Sequence, residues 1–120
     1  MIPLLNASER TVRRYTLTAQ GERGGAHTTA QVLMRIEDTN AKADDPSGRS
    51  GERMLHTWSH DPLRAEAPPV IGETFGQLAD VIEYDGRLWV VDRTQHTPGP
   101  LGSIYQAWAF IATANHAASL

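Results

Sequence analysis

The sequence contains no cysteine. Without thiols the chain has no thiolate nucleophile, no cysteine-based zinc or iron–sulfur site and no disulfide, and the absence says little about the compartment. At 120 residues it is predicted to form a single domain, residues 1–120. A domain of this size buries roughly two thirds of its unfolded surface and needs no disulfide for stability.

The sequence also lacks a run of 18 apolar residues, so no membrane-spanning helix is predicted. Its first ten residues, MIPLLNASER, lack both the basic n-region and the long apolar h-region of a signal peptide. We therefore expect a protein that is made in a cytoplasm and stays there or is assembled from there, without contact with a membrane.

Lysine is nearly absent. The chain has ten arginines, the single lysine Lys42, and a net charge of −3. This balance argues against a dedicated binder of duplex DNA, which normally shows a basic footprint. Arg10, Arg13 and Arg14 form a small basic cluster, which fits either a phosphate-contacting arm or an exposed edge strand that carries charge against mis-pairing. The second interpretation is preferred.

No long helical pattern is present, whereas short segments with alternating apolar and polar residues recur between turn signals. The pattern predicts an all-β domain, a small antiparallel β-barrel or sandwich of about six strands with a long loop between strands 2 and 3. The last strand is apolar on both faces, which is typical of a strand in the middle of a barrel or sandwich or against another subunit. The predicted strand segments are 10–20, 28–38, 54–60, the two arms of a hairpin over 80–93, and 103–113.

The hairpin has the clearest local signal. Asp85-Gly86 tolerates the positive φ angles of a type I′ turn, so counting outward places Tyr84 opposite Arg87 and Val81 opposite Val90. One face then carries a large aromatic and apolar set that we assign to the core: Ile82, Tyr84, Trp89 and Val91. The other face carries Val81, Glu83, Leu88 and Val90 and is too apolar to be freely solvated, so we expect it to be covered.

The role of the three tryptophans has two interpretations. Trp58, Trp89 and Trp108 can stack on nucleic-acid bases or pack in the core. Because lysines and arginines do not accompany them on their own strands, core packing is the better account of each.

The segments between the predicted strands differ in character. Residues 1–9 are predicted to be an N-terminal arm, and residues 114–120 a tail without a strong signal. Residues 39–53 contain no large apolar side chain, so we expect a mobile, functional or disordered loop. Residues 61–79 are predicted to be a winding connection with at most a helical turn over 73–78.

No motif for catalysis or metal binding stands out. His56 and His60 are four residues apart, but on a strand that spacing separates them by about 13 Å, too far for one metal ion. Ser50 lies outside any nucleophile-elbow pattern, and Asp44-Asp45 on a loop indicates solvation more than acid–base chemistry. The sequence therefore predicts a protein that is not an enzyme and has no cofactor.

The run DVIEYDGRLWVV over residues 80–91 resembles a signature of the head-to-tail stopper, or head closure, proteins of long-tailed bacteriophages. That signature consists of an acidic residue, a hydrophobic run, Asp-Gly, and then an aromatic residue and valines. The early TVRRY over residues 11–15, a glycine-rich turn, an alternating strand and a closing strand are also similar to this family. The resemblance spans most of residues 10–113, and the proline-rich connection 61–79 departs from it.

The resemblance implies a virion protein that forms a ring, commonly twelve-fold, beneath the portal and adaptor at the head–tail interface. The ring would join the head-side connector to the tail terminator or tail tube and would retain packaged DNA, which it contacts without sequence specificity. The family's channel loop lies between the second and third strands, which is the place of residues 39–53 here. The channel residues are then Asp44, Asp45, Arg49, Glu52 and Arg53, of which the three acidic ones would repel phosphate.

The apolar arm and the two-sided last strand are expected, on the same resemblance, to contact neighbouring subunits. The predicted contact residues are Ile2, Leu4, Leu5, Val81, Leu88, Val90, Ile104, Trp108 and Phe110. Three other functions stay open: a tail terminator or adaptor component of the same neck, a monomeric OB-like nucleic-acid-binding module, and a small hydrolase on a β-scaffold, for which no convergent site is found.

Overall fold

Six antiparallel strands close into one barrel in the computed structural model, which describes residues 6–17, 23–66, 71, 78–100, 102–114, 117 and 120. The all-β prediction is confirmed, and the architecture is a barrel. Around the barrel the order is β1-β2-β3-β6-β5-β4, so β1 and β4 complete the closure. The strands are β1 Ser8–Leu17, β2 Arg23–Asn40, β3 Arg53–Ser59, β4 Val81–Tyr84, β5 Arg87–Thr97 and β6 Ile104–Ile111.

The predicted hairpin forms as expected between β4 and β5. Tyr84 lies opposite Arg87 and Val81 opposite Val90, and both turn residues have positive φ, 53° at Asp85 and 68° at Gly86. The turn is therefore of type I′, and its twist matches that of the two strands.

The interior of the barrel is filled by one face of each strand, because side chains alternate between the two faces. Trp89 and Met34 are the largest of its fully buried side chains. Leu63, in the connection after β3, closes on this cluster, which the sequence did not predict. The buried members are Val12, Val32, Met34, Leu55, Leu63, Ile82, Trp89, Val91, Ala107 and Ala109.

Small side chains line the interior along β3 and β6. Thr57 and Ser59 are fully buried there, and Thr57 Oγ1 donates to the Ala107 carbonyl at 3.4 Å. Trp89 of β5 occupies much of the narrow lumen, so that besides Leu55 only small side chains of β3 and β6 fit there. The large rings of β3 and β6 consequently lie on the outer wall.

Several predicted boundaries are wrong by a few residues. β1 begins at Ser8, inside the predicted arm 1–9, and β2 extends from Arg23 to Asn40, so that the connection to β3 is 41–52. β5 continues to Thr97, past an irregularity between Val91 and Arg93. Ile2, Leu4, Leu5, the strand end predicted at 18–20, most of the helical turn at 73–78 and most of the tail lie outside the described residues.

The interpretation of the basic cluster as an exposed edge strand is wrong. β1 pairs with β2 along its length and with β4 at Val12 and Arg13. Arg10 and Arg14 share the face of Val12, and the Arg10 guanidinium lies 4.9 Å from the centre of the Tyr84 ring. Arg13 lies on the opposite face and pairs with Glu83 at 3.1 Å. Arg13 therefore lies on a different face from Arg10 and Arg14, and the three do not form one exposed edge.

Candidate functional site

Residues 41–52, which we call the strap, leave β2 and fold back over the outer wall of the barrel. The Ala41 amide donates to the Glu52 carbonyl, and the Gly51 amide donates to the Ala41 carbonyl, both at 2.8 Å. Ala41 is buried against Met54 and Phe110 of the wall. The two ends of the strap are thus joined to each other and seated on β3 and β6.

A partly buried ion pair holds the middle of the strap to β5. The Arg93 guanidinium donates to both carboxylate oxygens of Asp45, at 2.9 and 3.2 Å, and the Asp45 side chain is only 5% exposed. Ser47 donates to the same carboxylate through its amide at 2.9 Å and its hydroxyl at 2.6 Å. Arg93 first and Ser47 second hold the pKa of Asp45 well below its usual range.

Arg49 contributes a further contact between strap and wall. Its guanidinium lies 4.7 Å from the centre of the Phe110 ring, and its Nε lies 3.8 Å from the Glu52 carboxylate. Composition alone predicted a mobile loop, whereas in the structure Ala41, Asp45 and Arg49 contact the barrel wall or β5. The expectation that both members of Asp44-Asp45 are solvated is wrong for Asp45, whereas Asp44 is exposed.

Beside the strap, five side chains of the outer wall form a layered arrangement, which we call the stack. Its central layer is His56, whose ring centre lies 3.9 Å from that of Trp58 and 4.5 Å from that of Trp108. Arg35 covers Trp58 at 4.9 Å and Arg93 covers Trp108 at 4.6 Å. Cross-strand register produces this order, because Arg35 lies opposite Trp58, and Trp108 lies opposite His56 on one side and Arg93 on the other.

The surroundings of His56 in the stack lower its pKa and so favour the neutral ring. Burial is the largest effect on the pKa of His56 and lowers it, while Gln106, whose Oε1 lies 2.8 Å from His56 Nε2, partly opposes the shift. Glu37, opposite His56 across the strands, favours the charged ring, and Arg93 and Arg35 disfavour it. The net result places protonation below the ordinary range of histidine.

The assignment of all three tryptophans to the core is correct only for Trp89. Trp58 and Trp108 are partly exposed on the outer wall, and each carries an arginine from a neighbouring strand. The arginine that covers each indole lies on a neighbouring strand, across the ladder, and not on the strand of the tryptophan itself. Strand register would have revealed it, and for β3 and β6 the sequence did not fix that register.

Between the strap and the stack lies an open cleft of about 530 Å³. Its lining is mixed, because Met54 and Trp108 are apolar while His56 and the strap side chains are polar. The cleft shows that the strap rests on the wall at a few points and does not fill the space beneath it. The lining residues are Glu37, Thr39, Asn40, Lys42, Asp44, Asp45, Pro46, Met54, His56, Arg93 and Trp108.

The structure separates Arg53 from the other predicted channel residues. Arg53 belongs to β3, where it forms an ion pair with Asp38 and a second one with Asp85 at 3.2 Å. Its guanidinium lies 5.2 Å from the centre of the Trp89 ring. Arg53 therefore links β2, β3 and the hairpin turn at one end of the barrel, and it does not belong to the strap.

Two of the predicted subunit contacts are buried within this one chain. Val81 is 1% exposed and Phe110 is 3% exposed, the latter beneath Ala41 and Arg49 of the strap. Their burial needs no neighbouring subunit. Leu88, Val90, Ile104 and Trp108 keep partial exposure on the barrel.

His56 and His60 have separate partners, since His60 Nδ1 lies 3.1 Å from the Ser103 carbonyl. In the parts of the chain that the structure describes, no three acidic or histidine side chains converge as the ligands of a metal ion do. Within the same parts, no helix has the length and apolar character needed to cross a membrane. The strap and stack consist of ion pairs, hydrogen bonds and stacked rings, which is an arrangement suited to non-covalent binding.

Comparison with known proteins leaves the family open. No protein-family model matches the chain, and no curated protein matches it.

Proposed function

We propose that the protein is a ring-forming head-to-tail stopper of a tailed-phage neck, a non-enzymatic virion protein that joins the head-side connector to the tail and retains packaged DNA. The observation that carries the proposal is a closed six-stranded antiparallel barrel in which the strap connects β2 to β3. In the stopper family that the sequence resembles, the channel loop is the connection between the second and third strands. The resemblance of residues 80–91 supplies the remaining support.

In this proposal the barrel is a rigid building block for a ring. Every strand pairs on both sides somewhere along its length, so the block keeps its shape when neighbours dock. Leu88, Val90 and Ile104, which remain partly exposed, are the apolar side chains assigned to subunit contacts. Val81 and Phe110 are part of the block's own packing.

The strap is the proposed channel element, and its charges are distributed unequally. Asp44 and Glu52 are exposed, whereas the charge of Asp45 is balanced by Arg93. The repulsion of DNA phosphate is therefore assigned to Asp44 and Glu52. Release of the Asp45–Arg93 pair would let the strap swing away from the wall toward a channel axis.

Deletion of the gene in the phage that encodes it tests the function. The expected result is heads that package DNA, lose it on standing and carry no tails. Electron microscopy of intact particles supplies the second expected result. It should show a symmetric ring at the neck with one copy of the protein at each ring position. Mutant particles with retained DNA and complete tails would contradict the proposal.

A second candidate, an OB-like module for single-stranded nucleic acid, is favoured by Trp58 and Trp108, which lie on one wall with Arg35 and Arg93. Against it, each indole is already covered by a guanidinium, so a base must displace an arginine to stack. The net charge of −3 also opposes binding. Salt-dependent binding of single-stranded DNA by the purified monomer, lost in Trp108→Ala, would favour this candidate over the stopper.

A further inference from the structure

Strand β2 is longer than its partners, and part of one of its edges is unpaired within the described ranges of the chain. It pairs with β1 from Arg23 to Met34 and with β3 from Met34 to Asn40, so Met34 alone has a ladder partner on both sides. Over residues 28–33, the edge of β2 that faces away from β1 pairs with no strand among the residues that the structure describes. A row of backbone N–H and C=O groups is available there to another strand.

This edge lacks the protection that natural edges usually have. The segment Thr28-Thr-Ala-Gln-Val-Leu33 contains no charge, no proline and no glycine, and Thr28, Thr29 and Val32 are β-branched. Leu33 is 48% exposed, which is unusual for so large an apolar side chain in this barrel. Charged residues, prolines and bulges are the usual means of keeping an edge from pairing.

The overhanging part of β5 is a useful contrast. β5 pairs with β4 from Arg87 to Val90 and with β6 as far as Thr97, so it too has an open edge beyond Val90. That edge carries Asp92 and Arg93 and begins at an irregularity in the ladder. Charged side chains and the ladder irregularity hinder another strand from pairing with this edge of β5, whereas residues 28–33 of β2 have neither.

We propose that residues 28–32 of β2 pair, antiparallel, with the same residues of a second copy of this chain. The unpaired amides and carbonyls of this edge can form ladder hydrogen bonds with an extended strand. The segment is also self-complementary. When two copies pair about Ala30, Thr29 lies opposite Gln31 and Thr28 lies opposite Val32, with no like charges facing each other.

Such a contact is isologous, because the same surface serves both copies, and it closes at two. A ring of more than two copies cannot be built from an isologous contact between neighbours. The pairing is therefore a property of the free protein, it goes beyond the proposed role in a ring, and it stands or fails independently of that role. Because only a short segment pairs, we expect a weak affinity, with a dissociation constant of about 10 to 1000 µM.

Sedimentation equilibrium of the full chain over a range of concentrations tests the proposal. The wild-type protein is expected to follow a monomer–dimer equilibrium, and the variant Thr29→Lys with Gln31→Lys to weaken it at least tenfold, because like charges then face each other across the pairing. The control is Ala43→Lys with Ser50→Lys, which adds the same charge at exposed positions of the strap and leaves the dissociation constant unchanged.

Amide hydrogen exchange supplies a second readout that does not depend on a variant. On raising the wild-type concentration through the dissociation constant, amides within residues 28–32 are expected to gain protection, while those of the strap do not. A wild-type protein that stays monomeric to about 1 mM would overturn the proposal. A dimer without new protection at 28–32, or one weakened equally by the control variant, would also overturn it.

Discussion

Arg93 of β5 and Asp45 of the strap are 48 residues apart in the sequence, and their side chains are joined by two hydrogen bonds of 2.9 and 3.2 Å. Arg93 also covers Trp108, so one guanidinium connects the strap to the aromatic stack. The position of the strap on the wall therefore depends on a contact between two distant parts of the chain.

Asp45→Asn is expected to loosen the strap without unfolding the barrel. The amide keeps an acceptor for Ser47 but loses the charge-assisted bonds to Arg93, at a cost of about 1–3 kcal/mol. Exchange of the Gly51 amide, which bonds to Ala41, should become roughly tenfold to hundredfold faster at pH 7. Asp44→Asn, one residue away and exposed, is the matched control and should leave this exchange unchanged.

The same ion pair has a defined pH dependence. Because the pKa of Asp45 is lowered in the folded protein, the stabilisation is complete above the unfolded value near 4 and is lost as pH falls through the folded value. Protection of the Gly51 amide, corrected for intrinsic exchange, should therefore decrease on acidification in the wild type. A wild type and an Asp45→Asn variant that match at pH 7 would contradict this assignment.

The wild type is expected to lose stability in mild acid because of His56, and the variant His56→Gln is expected not to show this loss. Burial lowers the pKa of His56, so the fold binds the neutral ring. The contribution is complete above the unfolded value of about 6.5 and declines as pH falls through the lowered folded value. Urea denaturation at pH 8 and at pH 5 measures it, with the exposed His96→Gln as control. A wild type whose stability falls no more steeply than that of His56→Gln would refute the prediction.

The contribution of Asp80 to stability should depend on pH in the opposite direction to those of Asp45 and His56. This carboxyl is buried, and burial raises its pKa, although its Oδ2 accepts from the Arg64 amide at 2.9 Å. The fold therefore favours the protonated acid, and this contribution is complete below the unfolded value and lost as pH rises through the folded value. The wild type is expected to gain stability relative to Asp80→Asn as pH falls from 7 to 4, measured by urea denaturation. A difference that is constant over this range would disprove the assignment.

Gly86→Ala is expected to destabilise the barrel by about 1–2 kcal/mol, since the left-handed conformation costs an alanine roughly that much. The φ of Gly86 is +68°, and an added Cβ would meet no atom within 4 Å, so the cost comes from the backbone conformation alone. Gly86→Asn, which tolerates this conformation better, should lose less in thermal denaturation. Equal losses for the two variants would argue against a type I′ turn as the cause.

The hairpin illustrates what local pattern can predict. Asp85-Gly86 specifies the turn, the turn sets the register, and alternation then assigns Ile82 and Trp89 to the interior. All of this information lies within a dozen or so consecutive residues. The six-strand count and the all-β class followed from the same kind of local signal.

Alternation divides a strand into two faces but does not say which face is inside. On β3 the sequence offered His56 and Trp58 on one face and Thr57 and Ser59 on the other, and size alone favoured the wrong one. The barrel places the face of Thr57 and Ser59 inside because Trp89 of β5 already fills much of the interior.

Local sequence by itself determined the approximate positions of the strands, the β4–β5 turn and the interior face of that hairpin, because each depends on neighbours in the chain. Only the tertiary structure decided that the strap lies on the wall, that Trp58 and Trp108 point outward beneath arginines, and that one edge of β2 over 28–33 has no partner in the described part of the chain. These features depend on barrel closure, which fixes register between distant strands and thereby brings Asp45 to Arg93 and His56 between two indoles.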